Sequence, residues 1–162
     1  MRAFIRDRSG AAAAEMALMV PLLMILMFGG FEAGHYFYTE HKIVKAVRDG
    51  ARYAGRLPFS AYDCGSGTSS QAALIQNVTR TGVADTTAPP LIYNWTDNAD
   101  VTVSVTCNTA ETTKGIFTDL ASGAPVVTVS ATASYPSLFG ALGLLDADIN
   151  VAANAQAVVN GL

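Results

Sequence analysis

Charge is scarce in this sequence and is missing where its absence is most telling. Charged residues make up 14% of the 162, and none lies between Met16 and Phe31. A stretch without charge that long is not the solvated face of a surface helix. Extended back to Ala11, the run contains one charged residue, Glu15, and as a helix its 21 residues reach about 31 Å, the thickness of a bilayer's hydrocarbon core. Basic residues are scarce further along. From Leu57 onward two (Arg80, Lys114) face eight acidic ones, a net of −6. An acidic face excludes nucleic acid as a partner, which needs clustered Lys and Arg. Only two histidines (His35, His41) and two cysteines (Cys64, Cys107) are present, with no CxxC and no Cys/His cluster. Zinc, dithiol redox chemistry and Ser-His-Asp or Cys-His catalysis therefore have nothing to stand on, and neither an enzyme nor a cofactor is expected. Disorder is excluded by the opposite count, since 51% of the residues are hydrophobic.

Three smaller patterns are weighed against these absences. Glu32-Ala-Gly-His35 has the spacing of a di-iron half-site, but such sites need a second motif and further carboxylates. Pairing of Glu32 with His35 is the plainer expectation. Asp97-Asn98-Ala99-Asp100 lacks the spacing of a calcium loop and reads as a solvated turn. Asn77-Val-Thr and Asn94-Trp-Thr fit glycosylation sequons, which a bacterial reading makes incidental.

What is present has a clear order. Arg2, Arg6 and Arg8 precede the apolar run, which favours a cytoplasmic N-terminus and an exported remainder. Both cysteines then fall in an oxidising compartment, where two lone cysteines most simply form a disulfide; two buried free thiols are the alternative. Closing the 42-residue loop between them is worth about 4 kcal/mol on the chain-entropy model.

Helix signals continue past the apolar run. Val44, Val47, Ala51 and Ala54 recur at helical steps, and Lys45, Arg48, Arg52 and Arg56 share a second face. One helix is predicted from about Ala12 to Arg56, kinked or opened near Pro21 and loosened at Gly29-Gly30, with Pro58 beyond its end. The basic stripe is either a solvated face or a surface complementary to acidic exported domains like its own. Cys64–Ser70 reads as a Gly/Ser loop, Ser70 as the cap of a short helix over Gln71–Thr81 stopped by Gly82, and residues 84–100 as loop. Residues 101–107, 127–135 and 149–159 alternate apolar and polar with period two. Three such strands suit an antiparallel sheet packed on the helix, so the fold expected is α+β and pilin-like. The link Pro136–Leu145 is apolar and uncharged. Either it is a helical turn covering the sheet end, or it exposes Leu138, Phe139 and Leu142 for a partner or the membrane surface.

Glu15 most needs an explanation, because a carboxylate inside a span costs on the order of 3 kcal/mol unless paired or near the surface. It could lie at headgroup level and snorkel. Alternatively, cleavage between Gly10 and Ala11 would create an α-amino group on Ala11 that pairs with Glu15 of a neighbouring subunit, fixing the stagger of packed helices.

Gly10-Ala-Ala-Ala-Ala-Glu15, then Ala17-Leu-Met-Val-Pro21 and the apolar run, and Ala46-Val-Arg-Asp-Gly-Ala-Arg52 resemble the TadE-like proteins of tight-adherence (Flp) pilus systems. Tyr135-Pro136, the apolar link and 147–159 do so more loosely. The resemblance implies a basic leader over 1–10, a transmembrane helix over 11–31, its extracytoplasmic continuation over 32–57 and an exported domain over 58–162. It further implies a pseudopilin or minor pilin of the bacterial inner membrane, cut after Gly10 by a prepilin peptidase. Its partners would be other pilin subunits, the Tad inner-membrane machinery and the bilayer. Met16 departs from the pattern, since cleaved members usually carry an aromatic residue after that Glu. The competing readings are a signal-anchored binding module and, more weakly, a secreted protein with a cleaved signal peptide, for which Phe31-Glu32-Ala33 is a poor cleavage site.

Overall fold

The structure is a computed structural model and describes residues 9–111, 115–141, 143 and 149–161. Helix α1, Ser9–Ala54, is 46 residues long and so extends about 69 Å. It runs unbroken through Pro21 and Gly29-Gly30, so the predicted opening at those positions is not seen. Every residue from Gly10 to Phe31 is exposed. The second half of α1 enters the domain core through Ile43, Ala46, Val47, Gly50, Ala51 and Ala54. This face is rotated slightly from the predicted one. Val44 sits half-buried at its edge, because α1 meets the sheet and a second helix together and its buried surface is centred between them.

The helix stops at Ala54, two residues before the predicted end. Gly55 lies against β5 (Asn150–Val158), so close that an added Cβ would come within 3.0 Å of the Val158 carbonyl. Its own carbonyl accepts the Asn160 N–H at 2.8 Å. The chain's last strand therefore closes off its first helix.

The sheet has the order β3-β4-β5, all antiparallel, with β3 Val101–Asn108 and β4 Ala124–Ser134. Val101 and Val105 of β3, Val127, Val129, Ala131 and Ala133 of β4 and Val151 of β5 point inward, as period two requires. Burying each Val is worth roughly 1.5–3 kcal/mol. Helix α1 lies over β4 and β5, while α2, Ala72–Thr81, lies between α1 and β3. Gly82, at φ +83°, ends α2 and donates to the Val78 carbonyl, as predicted. Ser70 is not its cap. Ser69 Oγ accepts the Gln71 N–H, while the Ser70 hydroxyl turns back to the Ala61 carbonyl. On α2, Ile75 and Val78 are buried and Leu74 is half-buried.

Two segments read as loop have more structure than expected. Cys64–Ser70 is the turn and second strand of a small hairpin, β1 Tyr62–Asp63 and β2 Thr68–Ser69. The Gly67 carbonyl of its turn accepts the Val105 N–H, docking the hairpin on the free edge of β3. Residues 84–100 bury Ile92 and Trp95 in the core. Polar side chains of α2 hold this segment in place: Asn77 Nδ2 donates to the Asp85 carbonyl, and Arg80 to Asn98 Oδ1 and the Trp95 carbonyl.

Candidate assembly helix and membrane-proximal clasp

Gly10, Ala11, Glu15 and Pro21 all lie on the N-terminal half of α1 and are exposed, away from the C-terminal domain. Gly10 and Ala11 are in the first helical turns, and nothing approaches Gly10 within 4 Å. Among the described residues Glu15 has no ion-pair partner. It stands one turn beyond Ala11, on the same helix face. Within one chain the span thus presents an apolar, fully exposed rod bearing a single carboxylate.

Of the predicted basic stripe, Lys45, Arg48 and Arg52 are exposed on α1 and line a shallow groove with His41, Val44 and Asp49. Arg56 falls in the turn after the helix and is not part of that groove, because α1 ends before reaching it. Asp49 interrupts the positive face, lying 3.8 Å from Arg52, and both side chains are well exposed. Such a pair contributes little to stability.

Cys64 and Cys107 form a disulfide with Cα atoms 5.6 Å apart, half-buried where the hairpin crosses the end of β3. Asp63 beside it accepts from the Ser66 hydroxyl and the Gly65 N–H, which hold its carboxyl below the ordinary value.

The predicted pairing of Glu32 with His35 is replaced by a more extensive arrangement. Both side chains reach the exit of β4, about a hundred residues away. The Glu32 carboxylate accepts the Ser137 hydroxyl at 2.7 Å and the Leu138 N–H at 3.0 Å, capping the short helix α3, Leu138–Ala141. The Tyr135 phenol donates to the Glu32 carbonyl at 3.1 Å and lies 3.1 Å from His35 Nδ1. The phenol has one proton, and the ring tautomer sets whether His35 Nδ1 donates to the phenol oxygen or accepts from it. Partial desolvation pulls the Glu32 carboxyl upward, yet the Ser137 hydroxyl, the Tyr135 phenol and the N–H groups of Leu138 and Phe139 outweigh it, and it titrates below its ordinary value. Burial, reinforced by Glu32, pushes the Tyr135 phenol up to about 12. The sequence contains both halves of this clasp as short motifs, but nothing in it relates residues so distant.

Beside the clasp lies an apolar groove of about 400 Å³ between Gly29, Ala33 and Phe37 of α1 and Tyr135, Phe139 and Ile149. Leu138 is exposed on the adjoining turn, Phe139 is half-buried in the groove, and Leu142 lies outside the described residues. Ile149 keeps the inward parity predicted for the last strand. It precedes that strand, however, and is 41% exposed, because the groove in front of it is open.

Residues 10–52 match the family model described as TadE-like protein. No curated protein and no solved structure matches the chain. The match takes in Gly10, Ala11, Glu15 and Pro21, the clasp residues Glu32 and His35, and the basic groove as far as Arg52, and does not extend to the sheet. It ties the anchor helix to a family associated with Tad pili. Helix α1 is long and apolar enough to cross a membrane once.

Proposed function

We propose that this chain is a single-pass pseudopilin or minor pilin of a tight-adherence (Flp-type) system, acting through helix–helix assembly without catalysis. The observation that carries this reading is the span itself. From Gly10 to Phe31 the helix is exposed, apolar and matched to the TadE-like family, and it spends one carboxylate at Glu15, where a plain anchor would have none. A charge held in hydrocarbon is tolerated when a partner neutralises it. Processing after Gly10 by a prepilin peptidase would place that partner on Ala11 of a sister subunit, one helical turn from Glu15. The N-terminus then faces the cytoplasm and the domain the periplasm or cell exterior, where the disulfide is stable. Lys45, Arg48 and Arg52 offer neighbouring subunits a positive surface opposite their acidic exported faces.

Glu15→Gln keeps the shape and removes the charge. In cells producing the complete pilus system, we expect it to abolish incorporation into filaments while membrane insertion is retained. Glu15→Leu discriminates further, since a signal-anchored binding module would insert as well or better and keep its activity. Normal filaments with Glu15→Gln would overturn the assembly role.

A further inference from the structure

We infer that the chain meets the bilayer twice: besides α1, the α3 turn and the lower end of its apolar groove sit at the outer membrane boundary, where lipid acyl chains enter the groove from below. The inference rests on the membrane-anchored reading of α1 and adds a second contact, made by the exported domain itself.

The height of α3 follows from two hydrogen bonds. Glu32 is the first residue past the apolar run that ends at Phe31, and its carboxylate holds Ser137 at 2.7 Å and the Leu138 N–H at 3.0 Å. If residues 11–31 fill the hydrocarbon core, α3 has to start at its boundary. The groove straddles the same level. Its lower wall is Gly29, inside the run, and its upper wall is Phe37, about 9 Å beyond Phe31, while the headgroup zone is about 5–7 Å deep. Tyr36, Phe37 and Tyr38 occupy this part of the helix, and aromatic residues favour membrane–water interfaces. Leu138, on the adjoining turn, and Ile149, which lines the groove, are 43% and 41% exposed. Facing water, such side chains would leave apolar surface unburied at the base of the domain.

The groove's lower wall is also the lipid-facing surface of α1, so the two are one continuous apolar surface, and that continuity identifies the occupant. A Cβ added at Gly29 would meet no other element within 4 Å, so the wall is open on that side. The Glu32 carboxylate is engaged by α3 and the Tyr135 phenol by α1.

The test uses the full chain in liposomes containing phospholipids brominated on the upper acyl carbons, which quench tryptophan by contact. Single variants Ile25→Trp, Leu138→Trp, Ile149→Trp and Tyr93→Trp are compared with the unsubstituted chain, whose Trp95 is buried and supplies the blank. Tyr93 serves as the control outside the membrane, since its loop is held by Lys42 Nζ on the Leu91 carbonyl, about 15 Å beyond Glu32 along the helix. We expect blue-shifted, strongly quenched emission at positions 25, 138 and 149, and water-like, unquenched emission at 93. Ile149→Trp guards against a local packing failure at Leu138. Quenching at 25 with none at 138 and 149 would overturn the second contact and leave the anchor intact. No quenching at 25 would overturn both. Shielding of 138 and 149 that appears only as the protein-to-lipid ratio rises would assign the groove to a second copy and overturn the lipid.

Discussion

Gly50 decides how closely the two helices approach. An added Cβ there would overlap Thr79 Oγ1 and lie 3.4 Å from the Thr79 backbone, so α2 would have to shift. Gly50→Ala gains up to about 1 kcal/mol of helix propensity, but overpacking of this kind typically costs about 1–3 kcal/mol. We expect net destabilisation in a denaturant melt. Combining it with Thr79→Ala should recover part of the loss, because that change removes the clashing hydroxyl. Purely additive effects of the two substitutions would mean that the contact does not limit packing. Glu32 acts differently, as a cap supplied from another element. Its lowered folded pKa means that its stabilisation is fully present above about the ordinary value of 4.5 and is lost as pH falls through the lower folded value. The Leu138 amide resonance should therefore hold its position from neutral pH to below 4.5 and move only after that. Glu32→Ala should shift it at every pH while changing global stability by only about 1 kcal/mol.

Among the elements, the β1–β2 hairpin depends most on a covalent tie. It consists of two-residue strands, docks on β3 through the Val105–Gly67 hydrogen bond, and is fixed by Cys64–Cys107. Reduction, or the double substitution of both cysteines by serine, should cost about 4 kcal/mol on the chain-entropy model and expose the edge of β3. Thermal unfolding of the full chain in detergent, with and without reductant, measures this. A loss under about 1 kcal/mol would mean that packing alone holds the hairpin. The elements also show what the residues make legible. Period-two alternation, with a few breaks such as Ala152, marks all three long strands, and the absence of charge over 16–31 marks the exposed half of α1. Both are local patterns. The core role of Ile92 and Trp95 is not local, since it comes from α2 side chains reaching across to their loop, and the clasp joins motifs about a hundred residues apart. The rotation of the buried helix face from Val44 toward Ile43 and Ala46 depends on where α2 packs, which no single helix can signal.

At the scale of the molecule, the charges are separated. The groove of Lys45, Arg48 and Arg52 is positive, while the chain from Leu57 onward has a net charge of −6. If copies attract one another through these surfaces, self-association of the full chain in detergent should weaken as ionic strength rises toward 1 M, where the screening length is about 3 Å. Arg48→Glu should weaken it already at low salt. Sedimentation that is indifferent to both would leave the groove as a solvated face.

Helix α1 carries the chain from the span into the core without a hinge, since no break, turn or linker separates Phe31 from Ala54. Its far half is cemented to the sheet and its middle is latched by Tyr135 and Ser137. The rod and the domain are therefore joined without a linker, like a piston and its head. Any machine that hoists this helix out of the bilayer lifts the domain by the same distance in the same stroke, with no slack to absorb the first ångströms of travel. Twisting the helix would swing the positive groove through the same angle, because the same helix carries both.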